Sequence, residues 1–257
     1  MWSVVERGRG MPVVFLHGYP LHHGMWQPQL DALSNEQRVI LLDLPGFGLA
    51  AAETVPDSLA GFADRVHRSL VDRLTAPVVL VGHSFGGYVA LQLYREHPEQ
   101  FRGLVLTDTR SSSDSPEARE KRMSLVQRLD GPGESLDIEA TTRGLVAPTT
   151  WERDRPLVDR VRAIVREART PALRGSLTAM ATRPDLSPVL STIGVPTLVV
   201  WGEEDHLIPP AETESMVAHI PESVGVGIPG AGHLPSLEAP SPFNSALGKF
   251  LEQISSR

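Results

Sequence analysis

The stretch Val78-Val79-Leu80-Val81-Gly82-His83-Ser84-Phe85-Gly86-Gly87 decides how the rest of this sequence is interpreted. Its four leading apolar residues, three of them β-branched, are typical of a strand buried on both faces. The glycines around Ser84 permit a tight turn, and the pattern that follows predicts a helix over 88–97. A G-x-S-x-G pattern between a strand and a helix indicates a serine lifted out of a sheet as a candidate nucleophile.

Similar apolar runs occur on both sides of this stretch. They lie at 13–16, 39–42, 104–106, 197–201 and, more weakly because two glycines interrupt it, 224–228. The segments between them are long enough for crossover helices, of which 59–74 is the clearest. This alternation predicts an α/β fold with a mostly parallel, doubly wound sheet that is covered by helices. At the start of the chain, Val4 and Val5 are expected to add no more than a short edge strand.

One connection, from Asp108 to Pro196, is much longer than a crossover helix requires. Prolines and glycines divide it, at Pro116, Gly131, Pro132, Gly133, Pro148, Pro156, Pro171 and Pro184. Apolar residues recur between them at helical spacing, over 157–165 and 173–180. We therefore predict a core formed by 1–111 and 186–257, with a helical cap inserted at 112–185. Six arginines between Arg153 and Arg169 are expected on a solvated helix face, with carboxylate binding by one of them as the alternative.

Composition restricts the class of protein. The net charge of -7 argues against a nucleic-acid partner and against docking on an anionic membrane, because both favour a basic surface. The absence of cysteine excludes disulfides, thiolate metal sites and a cysteine nucleophile. We see neither a secretory signal pattern nor an apolar run of about 20 residues, and so expect a cytoplasmic protein.

A serine hydroxyl needs a base to become a nucleophile, and His233 is the strongest candidate among nine histidines. It lies in the glycine-containing loop Pro229-Gly230-Ala231-Gly232-His233-Leu234-Pro235, after the last predicted strand. Open α/β sheets bind ligands at the edge where such loops emerge. His83 is expected to be structural, because the turn sends adjacent side chains in different directions. Three histidines in helical segments are expected on the surface: His67, His97 and His219.

The acid that orients this base is predicted to be Asp205, which directly follows a predicted strand. The chain order Ser84, Asp205, His233 is the serine–acid–histidine order expected of such a sheet. The acid would hold the imidazole in the required tautomer and stabilise its cation. Other carboxylates near strand ends remain as alternatives: Asp108, and more weakly Glu203 and Glu204.

The segment His17-Gly18-Tyr19-Pro20 follows the first apolar run and is predicted to supply part of an oxyanion hole. Pro20 has no N–H group, so the expected donors are the backbone N–H groups of Tyr19 and Phe85. Three residues after this loop either line the pocket, serve packing or lie on the surface: His22, His23 and Trp26.

These motifs, together with Asp43-Leu44-Pro45-Gly46-Phe47-Gly48, stand in a characteristic order along nearly the whole chain. The chain resembles the α/β-hydrolases with a helical cap, and among them the 3-oxoadipate enol-lactonases and related carboxylesterases. Ser84 separates it from the similar dehalogenases and epoxide hydrolases, which carry aspartate at that place. The segment 43–48 is interpreted as a structural turn. The chain departs from its relatives at Ala50–Ala52, where serine or arginine is frequent, and in a shortened N-terminal hairpin.

The resemblance implies acyl transfer to water, from a small carboxylic ester or lactone, with no cofactor and no metal. The expected partner is the small-molecule substrate, and the sequence says nothing about the oligomeric state. One alternative is that the same triad cleaves a carbon–carbon bond or performs perhydrolysis. Another is a ligand-binding receptor with slow residual hydrolysis, since a fold does not by itself determine function.

Overall fold

A computed structural model describes residues 4–131 and 135–256, so Pro132 and Gly133 of the predicted breakers lie outside the described residues. Seven strands are present there: β1 (Val4–Arg7), β2 (Pro12–Leu16), β3 (Arg38–Leu42), β4 (Val78–His83), β5 (Phe101–Thr107), β6 (Thr197–Gly202) and β7 (Ser223–Ile228). They form one sheet in the order β1-β3-β2-β4-β5-β6-β7. All neighbours are parallel except β1 and β3. The predicted fold class is therefore confirmed.

The helices connect and cover these strands. They are α1 (Gln27–Leu33), α2 (Leu59–Val71), α3 (Phe85–Glu96), α4 (Pro116–Leu129), α5 (Ile138–Leu145), α6 (Pro148–Arg153), α7 (Arg155–Arg166), α8 (Thr170–Ala181), α9 (Ser187–Leu190), α10 (Pro210–His219), α11 (Pro235–Glu238) and α12 (Pro240–Ser255). Within the described ranges, none of them has the length and apolarity needed to cross a bilayer. The helix predicted from residue 88 begins three residues earlier, because the turn at Ser84 leads directly into it.

The burial of each strand explains how strong its apolar pattern is in the sequence. The central strands β2 and β4 have fully buried side chains at 13–16 and 79–81, which accounts for their unbroken apolar runs. At one edge, β1 pairs only with β3, in antiparallel register from Val4 opposite Leu42. At the other edge, β7 leaves the side chain of Val224 half exposed. An edge strand needs fewer apolar residues, so the apolar pattern of β7 is the weakest among the predicted strands.

The long connection between β5 and β6 is helical. It contains α4 to α9, and we call residues 112–185, which hold α4 to α8, the helical insertion. Helix α4 packs on α8 and α5 packs on α7, so the insertion forms its own small layer of paired helices. The predicted helical spacing is reproduced in α7, where Val158, Val161 and Val165 are fully buried. The boundaries at 112 and 185, and the description of this layer as a separate domain, stay predictions.

The turn between β4 and α3 brings backbone against backbone. Ser84 has φ of 49°, a left-handed conformation that a residue with a side chain adopts only under strain. A Cβ atom on Gly82 would lie 2.6 Å from the carbonyl oxygen of Gly86. A Cβ atom on Gly86 would lie 2.6 Å from the carbonyl oxygen of Leu16 in β2. Because neither carbonyl can move without breaking the sheet or helix, only glycine fits at either position.

We expect Gly82→Ala to destabilise the protein by about 3 kcal/mol, since the added methyl group overpacks a backbone contact. The matched control is Gly248→Ala in the interior of α12, where nothing lies within 4 Å of the added atom. That substitution is expected to stabilise by about 0.5–1 kcal/mol. Urea unfolding followed by circular dichroism measures both changes. Equal effects of the two substitutions would contradict this account of the turn.

Candidate active site

Ser84 stands at the first turn of α3, at the carboxyl edge of the sheet. Its N–H donates to the carbonyl oxygen of Thr107 at 2.9 Å, and its own carbonyl oxygen accepts from the Thr109 hydroxyl at 2.8 Å. Both bonds attach the turn to β5 and the loop after it, so the position of the Ser84 side chain is set by two neighbouring strands. The side chain lines a cavity of about 280 Å³.

His233 and Asp205 form a buried pair at the same edge. The ring Nδ1 of His233 lies 2.7 Å from Oδ2 of Asp205. A carboxylate can only accept, so Nδ1 carries the proton and Nε2 of the neutral ring remains an acceptor. His233 lines the same cavity as Ser84. The structure thus brings together the three side chains predicted from positions far apart in the chain.

The loop after β6 keeps Asp205 ionised. Burial alone would raise the pKa of this carboxyl, but His233 and the backbone N–H groups of Ile208 and Leu207 bring the pKa below its ordinary value. Those two N–H groups donate to Oδ1 at 3.1 and 2.7 Å, respectively. Asp205 is therefore a fixed carboxylate whose remaining oxygen faces the imidazole.

Asp108, the main alternative acid, is close to this pair but does not bond to the histidine. Its Oδ1 accepts from the N–H of Gly202 at 2.9 Å, and its Oδ2 accepts from the Thr107 hydroxyl at 2.7 Å. Burial, and then the negative charge of Asp205, raise the pKa of Asp108 well above its ordinary value. The raised pKa favours the protonated form of Asp108, and its two hydrogen bonds join the ends of β5 and β6. The weaker alternatives, Glu203 and Glu204, make no hydrogen bond to His233 among the described residues.

Two buried histidines support the loops around Ser84. His83 donates from Nε2 to the carbonyl oxygen of His233 at 2.7 Å, so its ring lies beneath the loop, as expected for a structural residue. His17 donates from Nδ1 to the carbonyl oxygen of Gly18 and accepts at Nε2 from the N–H of Leu44, both at 2.9 Å. Burial lowers the pKa of His83 to about 3 and that of His17 to about 4, so both rings stay neutral.

The predicted oxyanion loop lies against the serine. A Cβ atom on Gly18 would come within 3.1 Å of the Cβ atom of Ser84, and Tyr19 lines the cavity. In the described part of the chain, the N–H groups of Tyr19 and Phe85 take part in no hydrogen bond. Phe85 begins α3, where the first N–H groups of a helix have no internal partner. Both predicted donors are thus available beside the hydroxyl.

The remaining motif residues have packing roles. Asp43 accepts hydrogen bonds from the backbone N–H and the ring of His23, each at 2.6 Å, and from the N–H of Leu49 at 2.8 Å. The 43–48 segment is therefore a structural turn. Neither of the histidines at 22 and 23 lines the cavity, and Trp26 is buried against Phe15.

The other helical histidines differ in exposure. His219 is exposed as predicted. His67 and His97, expected on the surface, are partly buried because their rings stack on each other with centroids 3.7 Å apart. They are not among the residues that line the cavity of Ser84.

Two groups of side chains in the described ranges have the spacing of metal ligands: His22, His23 and Asp43, and Asp108, Asp205 and His233. The carboxylates of both groups already accept hydrogen bonds from the protein, as described above. Their geometry is thus explained without an ion, and the absence of a metal or cofactor stays a prediction.

Glu238 is a partly buried carboxyl that the sequence reasoning missed. Its Oε1 accepts from the N–H groups of Gly232 and Leu234, which flank His233, at 2.9 and 3.1 Å. Its Oε2 accepts from the N–H of Ala147 and the hydroxyl of Thr150 in the helical insertion, at 2.8 and 2.7 Å. One side chain thereby joins the histidine loop to the insertion. The signal that was available is an acidic residue directly after the mostly apolar segment 234–237, which follows His233.

Two arginines at the cavity were also missed. Arg110, in the loop after β5, and Arg122, in α4, line the cavity together with Ser84 and His233. None of the six arginines between Arg153 and Arg169 lines it. The alternative that one of those six binds a substrate carboxylate therefore has no support at this cavity.

A parallel sheet with a serine on a strained strand-to-helix turn, and a histidine–aspartate pair at the same edge, defines the class of α/β-hydrolase folds. The sequence matches the alpha/beta hydrolase family over residues 13–246, and the chain belongs to that family. The resemblance inferred from its motifs is thereby confirmed at the level of the superfamily.

Individual relatives are esterases by name. The pimeloyl-acyl carrier protein methyl ester esterase of Aeromonas hydrophila is 31% identical, with 97% of this chain and 98% of that protein covered. A thermophilic esterase of Thermogutta terrifontis, in a malate-bound structure, is 34% identical with a TM-score of 0.93, covering 98% of this chain and 93% of its own. The enol-lactonase of Burkholderia xenovorans shares the fold, with a TM-score of 0.88 at 22% identity and 97% and 96% coverage.

We expect Glu238→Ala to lower the free energy of unfolding by about 3 kcal/mol, since four donors, three of them on buried residues, lose their acceptor. Glu252→Ala, at an exposed position of α12, is the matched control and is expected to change stability by less than about 0.5 kcal/mol. Denaturant titration of both variants measures the difference. A Glu238 variant as stable as the control would show that the carboxyl does not hold the two segments.

Proposed function

We propose that this chain is a serine esterase that hydrolyses a small carboxylic ester or lactone through an acyl-enzyme on Ser84. The observation that carries the proposal is the buried His233–Asp205 pair at 2.7 Å, which lines one cavity with a serine on a strained turn. A nucleophile, a base and an acid that orients the base are the three parts that acyl transfer by serine requires.

The proton of the Ser84 hydroxyl is transferred by the His233–Asp205 pair. Nε2 of His233 takes the proton of the Ser84 hydroxyl while the oxygen attacks the carbonyl carbon of the ester. Asp205 holds Nδ1–H in place and stabilises the imidazolium that forms. The imidazolium then gives its proton to the leaving alcohol, and the acyl group remains on Ser84. Water, deprotonated by the same histidine, releases the acid and restores the serine.

The tetrahedral intermediate places a negative charge on the former carbonyl oxygen. The N–H groups of Tyr19 and Phe85 are the proposed donors to that oxygen, because both are free of other bonds and lie beside Ser84. The dipole of α3, which begins at Phe85, also favours negative charge there. Each such donor contributes about 3 kcal/mol to transition-state stabilisation in comparable sites.

The named relatives support the ester bond as the target. Relatives that match this chain over nearly its whole length are methyl ester esterases, and the thermophilic esterase matches it at 34% identity. The lactone part of the proposal rests on the motif resemblance, because the enol-lactonase at 22% identity shares the fold alone.

We expect Ser84→Ala to reduce kcat/KM on p-nitrophenyl acetate by at least about 10³-fold, because the nucleophile is removed. Labelling by a fluorophosphonate probe is expected to disappear in parallel. Ser241→Ala, at an exposed position of α12, is the matched control and should behave as the unchanged protein. Undiminished turnover in the Ser84 variant would contradict the proposal, and an unchanged protein that labels poorly and hydrolyses no ester would favour the receptor alternative.

The two neighbouring aspartates are expected to respond differently to the same substitution. Asp205→Asn should lower kcat about 10⁴-fold, because the amide favours the wrong tautomer of His233. Asp108→Asn should leave kcat within a few-fold, because Asp108 makes no hydrogen bond to His233 and the amide oxygen can still accept from Gly202. Steady-state kinetics on one ester measures both. The reverse order of effects would assign the orienting role to Asp108.

A further inference from the structure

Part of the cavity wall is positively charged. Arg110 and Arg122 line the cavity, and their side chains retain only 17% and 25% of their exposure. Both are held by one buried carboxylate, since Arg110 lies 2.7 Å from Oδ1 and Arg122 lies 2.7 Å from Oδ2 of Asp114. The orientation of the two guanidinium groups is therefore fixed before any ligand arrives.

A third arginine shares the same carboxylate. Arg183 is almost fully buried and donates to Oδ1 of Asp114 at 2.8 Å, while its guanidinium lies 4.3 Å from the centre of the Tyr88 ring. Burial opposes ionisation of Asp114, but Arg122 and Arg183 keep the pKa of its carboxyl below the ordinary value. Asp114 is thus an anion surrounded by three cations.

The charges of this cluster do not cancel. Besides Asp114, the facing carboxylate is Glu212, which accepts a hydrogen bond from the Ser112 hydroxyl at 3.0 Å and acts electrostatically on Arg110. Three guanidinium groups against two carboxylates leave one positive charge beside a partly enclosed cavity. An unmatched charge that is partly removed from water is costly, and an anion in the cavity would compensate it.

Two residues of the same cavity wall each carry a hydrogen-bond donor without a partner in the described part of the chain. The hydroxyl of Tyr19 is buried and has no partner within the described residues, although Tyr19 lines the cavity and interacts electrostatically with Arg122. Burial raises the pKa of this phenol, so it stays a donor at neutral pH. Nε of Arg110 is likewise buried without a partner. Buried donors are normally satisfied, and these two are available to an acceptor group in the cavity.

We propose that Tyr19, Arg110 and Arg122 form a subsite for a carboxylate group of the substrate, so that the substrate is a short ester that also carries a free acid. This inference rests on the proposed esterase function. A singly charged carboxylate matches the one unbalanced positive charge better than a phosphate monoester, which carries nearly two. Apolar side chains of Leu145, Met180 and Ile208 also line the cavity and suit a short aliphatic chain between acid and ester. A volume of about 280 Å³ limits that chain to a few carbons.

The test compares monomethyl glutarate with the methyl ester of glutaric acid monoamide, which has the same shape and no charge. We expect kcat/KM to be about 10- to 100-fold higher for the acid, as for a charge-assisted hydrogen bond. Arg122→Gln should remove most of this preference by raising KM for the acid, with the amide unchanged within two-fold, and Arg122→Lys should restore part of it. Arg119→Gln, at an exposed position on the same helix, is the matched control and should change neither.

Equal kcat/KM for the two esters, or an equal loss for both in Arg122→Gln, would overturn the subsite. Hydrolysis of p-nitrophenyl acetate with neither glutarate ester accepted would overturn it as well, while leaving the esterase function in place. If no ester at all is hydrolysed, the proposed function fails, and calorimetry with glutarate decides the subsite separately. The subsite would be supported if the unchanged protein binds glutarate and Arg122→Gln weakens this binding at least ten-fold. Absence of glutarate binding would overturn the subsite.

Discussion

The site depends on one close contact between backbones, at the junction of β4 and α3. Gly86 approaches the carbonyl oxygen of Leu16 so closely that no side chain fits between them, and this contact sets α3 directly against the end of β2. The loop that follows β2 carries Tyr19, and the turn before α3 carries Ser84. The nucleophile and the proposed oxyanion donors are therefore positioned by the sheet itself rather than by flexible loops. Strain at Ser84 is tolerated because hydrogen bonds to Thr107 and Thr109 hold the turn from the other side.

Two carboxyl groups at this edge illustrate how environment separates chemical roles. Asp108, Asp205 and His233 each place a polar atom within 4.8 Å of the others, so two ionised carboxylates there would repel strongly. Burial and hydrogen bonding together decide which one is charged. Asp205 receives the imidazole and two backbone N–H groups, whereas Asp108 is fully buried and shares its oxygens with Gly202 and Thr107. Pairs of titratable groups whose pKa values move in opposite directions are a frequent mark of acid–base sites.

The fold and the three central side chains could be predicted because their signals are local. A buried parallel strand appears in the sequence as an apolar run, and a backbone contact without room for a side chain appears as a glycine. Both of these patterns lie within ten residues of Ser84. Glu238, Arg110 and Arg122 gave no comparable signal. Glu238 acts on Ala147, about ninety positions away, and the arginines matter only because α4 returns to the loop after β5. Charged residues on helices are ordinarily solvated, and only the three-dimensional arrangement separates these from the six arginines further along the insertion.

The helical insertion also contributes groups to the site. Its first helix supplies Arg122 to the cavity wall, and the start of α6 supplies the N–H of Ala147 to Glu238. Because the other oxygen of Glu238 holds the peptide groups on both sides of His233, a shift of the insertion would move the loop of the proposed base. The helical insertion therefore carries the charge that would recognise a substrate and also takes part in the hydrogen bonds that orient the base. The hydrogen bonds to both segments offset the cost of a partly buried acidic side chain at 238, whose pKa is raised by burial, although an apolar side chain would be less costly to bury.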